Sequence, residues 1–353
     1  MDVRKIQKVG YSTLAISLPK DWTKKMGLSV GDLISFQLGP DNIPRLYPGV
    51  VKEDIEAKTC VIYVDNFKED NLTLRTIIAC YVIGYETIKV ESKNILEKRV
   101  LEDIRTAAHR LMGMEILEQT PSTVTLQCFV DPKKFHVDTL INKEYLMIKS
   151  MLELCMHAID GNETILEEIN KMGEEVDKIY TLLVRVLLTA IDFTDIKKLG
   201  LFSIKNIAGD RVVAKTLEDV GDQIEVIGVA LVTIIKNKHK VSPDILDGIK
   251  NVLKAVLNIM DNTVDAFLTQ DVIKSNRILN EKKQFIKKCQ SLQEESINKI
   301  KDTLCVVNIS NILWVLVSIS KSLEALSEIT INRKMEDKTN NIFIGDLSKN
   351  TEI

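Results

Sequence analysis

The sequence predicts a multidomain α+β chain: a small N-terminal β domain, an α/β middle domain, then a mainly α region of tandem three-helix bundles. Three observations carry that expectation. Turn residues crowd the first fifty positions, with Gly10, Pro19, Gly27, Gly31, Gly39, Pro40, Pro44, Pro48 and Gly49 all there. From about 137 to 335 Pro243 is the sole proline and apolar residues recur at helical spacing. Aromatics are only 5% of the chain, which disfavours an all-β sandwich. At about 100 to 200 residues per domain, 353 residues suggest two or three domains.

The elements follow in order. In residues 1–50, short alternating runs predict strands near 3–9, 12–17 and 32–38, with a short helix from Lys20 to Met26. In residues 51–136 the periods mix. Cys60–Val64, Thr87–Val90 and Val124–Val130 read as strands, and Leu72–Glu86 and Ile95–Leu111 as helices. Pro132 then breaks the chain. Residues 137–335 divide at Pro243 into halves, with helices near 138–160, 163–192 and 200–236, then 243–268, 270–301 and 305–334. Residues 336–353 form a polar tail.

The two halves repeat at an offset of 106 residues, since 321 − 215 = 106. Lys215-Thr216-Leu217-Glu218 lies on Lys321-Ser322-Leu323-Glu324, and Asp222 on Glu328. The same offset puts Glu174 and Asp177 on Asn280 and Lys283. One offset serving two segments predicts a tandem duplication packed about a pseudo-two-fold axis, as repeats about 138–236 and 243–335.

Composition excludes several function classes. The formal charge is 47 − 50 = −3, so the surface as a whole is no nucleic-acid glove. No run of roughly 18 to 20 residues reads as an uncharged apolar span, the best being Val226–Ile235 and Ile312–Ile319. MDVRKIQKVG lacks an apolar signal core. Six scattered cysteines without CxxC read as reduced core residues of a cytoplasmic protein. There is no GxGxxG, P-loop, nucleophile–base pair or histidine cluster, so no enzyme is expected. Trp22 and Trp314 read as core or interface packing, and Met147, Met151 and Met156 as core filler.

Glu218 and Asp222 are four apart and stack on one helix face, as do Glu174 and Asp177 at three apart. Like charges at that spacing repel by a few tenths of a kcal/mol, roughly. If the two faces meet, their carboxylates suit a divalent or trivalent ion with oxygen ligands: iron, manganese, magnesium or zinc. The plainer explanation is a solvated face with surface ion pairs to Lys215 and Lys178. Gly221 inside the motif costs the helix about 1 kcal/mol against alanine, for which close helix approach or a ligand are the two accounts.

Leu217-Glu218-Asp219-Val220-Gly221-Asp222-Gln223 resembles the signature of PhoU proteins, the phosphate-signalling regulators built as two tandem three-helix bundles. Their metal-binding pattern, E(D)xxxD, is matched by Glu218 and Asp222 and only loosely by Glu324 and Glu328, with Ser327 in place of glycine. Glu174 and Asp177 sit where that family supplies additional acids. The resemblance therefore implies a multinuclear carboxylate-bound metal cluster in the first half. Arg4 to Gly10, Ser12 to Trp22 and Leu28-Ser29-Val30-Gly31-Asp32 resemble the AbrB/SpoVT swapped-hairpin DNA-binding domain. Arg75 to Tyr85 is similar to the linker domain of prokaryotic fusions of these two families.

Residues 1–36 hold six basic and three acidic side chains, net 6 − 3 = +3. Arg4 and Lys8 fall on the polar strand face. Arg4, Lys5, Lys8 and Lys20 are the expected cationic DNA contacts, with Ser12 and Thr13 as neutral phosphate donors. Short hairpins cannot bury their faces alone, so a homodimer or higher oligomer is expected. Together these resemblances imply a cytoplasmic regulator of phosphate uptake or signalling, acting on transcription through a DNA-binding dimer, with a metal-binding bundle as sensor. The alternative is an interaction protein that binds no DNA and docks on a phosphate transporter or sensor kinase.

Overall fold

The computed structural model describes residues 3–38, 43–50, 58–160, 165–193 and 196–336. The chain divides into two compact units, Met1–Glu56 and Ala57–Ile353. The expected tail and the turn residues Gly161 and Asn162 lie outside the described residues.

The first unit holds two antiparallel hairpins and one short helix. β1 (Gln7–Val9) pairs with β2 (Thr13–Ala15), with Lys8 opposite Leu14. α1 spans Lys20–Lys25. β3 (Ile34–Leu38) pairs with β4 (Pro44–Pro48), with Phe36 opposite Leu46. The expected first strand is shorter than 3–9, so Arg4 and Lys5 precede it. β4 was read only as proline punctuation; both its prolines sit at strand ends, where a missing N–H is tolerated. No described residue of this unit is buried. Ile6 and Leu14 are each 67% exposed and Phe36 72%.

The second unit joins an α/β layer to a helical layer. Its four-stranded sheet has the order β5-β6-β8-β7: β5 (Thr59–Tyr63), β6 (Thr87–Glu91), β7 (Met114–Gln119) and β8 (Thr123–Cys128). β5 and β6 are parallel, linked through α2 (Leu72–Ile83), and the β7–β8 hairpin adds antiparallel to β6 after α3 (Lys98–Arg110). β7 was not expected. A register shift between Ile116 and Glu118 breaks its alternation, and its outer residues are charged. Ile77, Tyr81, Ile88, Val90, Ile104 and Leu126 fill the core of this layer.

Six long helices follow: α4 (Val137–Ile159), α5 (Ile165–Ala190), α6 (Ile204–Lys236), α7 (Pro243–Thr269), α8 (Val272–Lys299) and α9 (Thr303–Met335). Side-chain caps start several of them. Ser203 and Asn206 form a capping box on α6, Pro243 opens α7 at its first turn, Asp271 accepts from the Lys274 N–H, and Asp302 from that of Cys305. α4 and α7 start at 137 and 243, an offset of 243 − 137 = 106. α4, α5 and α6 pack on one another, as do α7, α8 and α9. The two sets meet through α6 on α9 and α4 on α7. Each of those contacts joins an element to its own repeat counterpart, as a two-fold relation between halves requires. Their buried side chains form one continuous core.

The α/β layer and the helical layer form one compact unit, with α2 packed on α5. One expectation needs correcting and another is narrowed. α9 is long and apolar enough, by length and composition, to cross a membrane. Thr303–Ser320 is uncharged for 320 − 303 + 1 = 18 residues, with asparagines and serines breaking up the apolar runs. Here the helix packs on α6, α7 and α8. Trp314 is 70% exposed on α9, so of core and interface packing only the interface is left for it. Met151 is fully buried, with Met147 and Met156 packed beside it, as expected.

Candidate metal centre

α6 places three acids on one face. Glu218, Asp219 and Asp222 each offer a carboxylate oxygen, and those oxygens lie within 4.8 Å of one another. The helix does this by spacing alone, since positions four apart overlie one turn. Asp219 was not singled out in the sequence. It also faces Lys215, which donates to it at 2.8 Å and pairs with Glu218 too. Those bonds raise the Lys215 ammonium pKa against the opposing effect of burial. The surface-ion-pair explanation thus holds for Lys215, and for Lys178, which pairs with Glu175 at 2.7 Å.

Acids from two further helices close on this face. Burial pushes the Asp177 carboxyl on α5 upward, and the charge of Asp222 adds to that, with Arg110 and Lys215 opposing. Glu225, one turn beyond Asp222, is raised by burial and by Asp222, Asp177 and Glu174. Gly173 leaves it room: a Cβ there would lie 1.7 Å from Glu225 Oε1. The α5 and α6 faces therefore meet, as the sequence required for a shared site. Glu218 and Asp222 are likewise raised, chiefly by burial, with Lys215 opposing.

Glu144 is the residue that sequence reasoning missed. It lies on α4 at 0% exposure, and neither carboxylate oxygen has a hydrogen-bond partner. Burial drives its carboxyl well above the usual range, the charges of Glu218 and Asp177 drive it further, and Arg211 opposes them. Its signal was legible: a lone acid in the stripe Leu140, Ile141, Tyr145, Ile148, all of which are buried. A buried carboxyl without partners is costly whether charged or neutral. A cation would satisfy both its charge and its lone pairs. The donors present, all carboxylates, fit a hard or borderline ion such as magnesium, manganese, iron or zinc. Glu218, Asp219 and Asp222 are the residues that could hold it, with Glu144, Asp177, Glu174 and Glu225 around them.

The second half lacks this arrangement among the described residues. Glu324 is held in an ion pair by Lys282, and Glu328 is exposed. The positions matching Glu144, Glu174 and Asp177 are Lys250, Asn280 and Lys283. Lys250 bonds Asp160 at 2.8 Å.

In the first unit, Lys5, Lys8, Ser12, Thr13 and Lys20 are exposed, as is Arg4. Lys8 lies in β1, Thr13 opens β2 and Lys20 opens α1. Gly10, at φ 71, turns the chain between the strands. In comparison with known proteins, the chain matches no family model and no curated protein.

Proposed function

We propose that this chain is a cytoplasmic regulator of phosphate uptake or phosphate signalling. Its N-terminal unit forms a DNA-contacting homodimer, and its first helical bundle senses a divalent or trivalent metal. The observation that carries the sensor half is Glu144, a fully buried carboxylate with no partner beside the acids of α5 and α6. What supports the dimer half is a unit whose described residues bury nothing, with Ile6, Leu14 and Phe36 left for a second copy to cover. The cations Arg4, Lys5, Lys8 and Lys20 suit phosphate contacts, and a net +3 over residues 1–36 predicts affinity that falls with salt.

Metal analysis and fluorescence anisotropy test the two halves separately. Magnesium, manganese, iron and zinc are each titrated into wild type and into Glu144→Gln and Asp222→Ala. The expected result is binding in wild type, weakened at least tenfold in either variant; no binding in wild type ends the sensor reading. Duplex DNA is titrated at several salt concentrations, with Arg4→Ala/Lys8→Ala as the comparison. Equal binding by that variant, or none by wild type at low salt, ends the DNA reading.

One observation favours the second reading, an interaction protein docking on a transporter or sensor kinase. Leu304, Val307 and Trp314 stand exposed along α9, at 54%, 57% and 70%. Capture of such components through this stripe, with no DNA affinity, would establish it.

A further inference from the structure

A cleft lies beside the acidic face, where α3 packs across α5. Arg105, Thr106, His109 and Arg110 line it from α3, and Glu174 and Lys178 from α5. Its volume is about 350 Å³, the scale of a small-molecule pocket. The spacing explains the grouping. Arg105 and His109, Thr106 and Arg110, and Glu174 and Lys178 are each four apart, so every pair overlies one turn.

Among the described residues, Arg105, His109 and Arg110 make no side-chain hydrogen bond and no ion pair. Thr106 donates its hydroxyl to the Glu102 carbonyl at 2.8 Å, so it shapes the wall and offers no free donor. Lys178 already pairs with Glu175 at 2.7 Å and is held in place by that bond. His109 and Arg110 lie in the last turn of α3, where cations complement the helix dipole. That accounts for neither Arg105, a turn further in, nor Lys178 on the other helix. Arg105, Arg110, Lys178 and an imidazole thus line one cleft, with Glu174 in its wall, Glu175 paired to Lys178, and Asp177 close enough to Arg110 to feel its charge.

We propose that this cleft binds a small, multiply charged oxyanion of the phosphate class, held by the forked donors of Arg105 and Arg110 and by Lys178, with His109 at the rim. Planar guanidinium groups match such oxygens two at a time, which single ammonium groups do not. A cleft of about 350 Å³ admits a small anion but not a duplex. Glu174 repels the anion, and a cation on the neighbouring acids would remove that repulsion. This coupling, though not the cleft itself, rests on the metal reading above.

Isothermal titration calorimetry of the full chain tests the proposal, with inorganic phosphate and glycerol phosphate as separate ligands, each with and without saturating magnesium. The expected result is binding that weakens about tenfold in Arg105→Ala and again in Arg110→Ala, one charge-assisted bond each. Arg277→Ala, on an exposed face of α8, leaves it unchanged. Tighter inorganic phosphate points to the free ion, and tighter glycerol phosphate to a phosphomonoester. Binding that depends on the two arginines but not on magnesium keeps the cleft and removes the coupling. No binding of either ligand in both arms overturns the proposal, as does equal affinity in the arginine variants. Duplex DNA bound through Arg105 and Arg110, with neither small anion bound, also overturns it.

Discussion

Asp210 is fully buried on α6, 3.1 Å from the guanidinium of Arg333, with Asp138 and Glu336 adding negative charge nearby. Burial pushes its carboxyl from 3.8 up to about 7, against the pull of Arg333. The folded chain therefore holds this proton more tightly than the unfolded chain does. The stability it confers is full below about pH 4 and is lost as pH rises toward about 7, at up to ~1.4 kcal/mol per pH unit. Urea midpoints of wild type and Asp210→Asn, measured across that window, are expected to diverge, with wild type falling the more steeply; parallel profiles would refute the assignment. Gly221 gives a second prediction at the same scale. A Cβ there would lie 3.4 Å from Val176 and 3.8 Å from Ile148, ordinary contact distances. Close helix approach therefore does not require the glycine. Gly221→Ala is expected to stabilise the chain by about 1 kcal/mol of helix propensity, read as a higher urea midpoint. A lower midpoint would show that α6 cannot take the methyl group. Single residues of the site were only partly legible. Glu218 and Asp222 announce themselves by spacing along α6, and Asp177 by its spacing from Glu174 along α5. Glu144 comes from a third helix, and only packing brings it to them.

At the scale of elements, one side chain joins two layers. Arg185, on α5, is 1% exposed and donates to the carbonyls of Tyr81, Tyr85 and Gly84 at the end of α2. The Tyr81 carbonyl also accepts from the capping Gly84 N–H at 3.0 Å, but the Gly84 and Tyr85 carbonyls lie past the helix's own donors, and α2 has no basic residue in its last turn. Gly84 makes the approach possible. Its φ is 107°, and a Cβ there would meet Thr189 Cγ2 at 2.6 Å. Arg185 also lies over the Tyr81 ring at 4.8 Å. Arg185→Ala is expected to destabilise the second unit by roughly 2–4 kcal/mol, as orphaned buried carbonyls do. Arg185→Lys should recover only part of that, because a single nitrogen cannot take the positions of both guanidinium nitrogens that reach these carbonyls. Full recovery by lysine in thermal unfolding would argue against the capping role. The six long helices were legible almost to their ends, because apolar spacing over more than twenty residues outweighs local noise. β4 and β7 were not: prolines disguise one and a register shift the other. The α2–α5 contact was also hidden, since an arginine in an apolar helix face says nothing of which carbonyls it will reach.

At the scale of the whole molecule, the two units differ in what holds them together. Residues 57–353 contain two cores whose members are almost all below a tenth exposed, one in the α/β layer and one through all six long helices. Each buried Leu, Ile, Val or Met there contributes about 1.5–3 kcal/mol of transfer free energy before entropy is counted. The described part of residues 1–56 contains no such side chain. The second unit should therefore fold alone, with the thermal midpoint it has in the full chain. The first should be folded only as far as it self-associates. Removing residues 1–56 is expected to leave the helical circular dichroism and its midpoint unchanged. Residues 1–56 alone are expected to show a midpoint that rises with concentration, because dimerisation and folding are then one equilibrium. A concentration-independent transition in that fragment would mean it folds as a monomer, and the exposed Ile6, Leu14 and Phe36 would need another partner. A lower midpoint in residues 57–353 would mean that the second unit draws stability from the first.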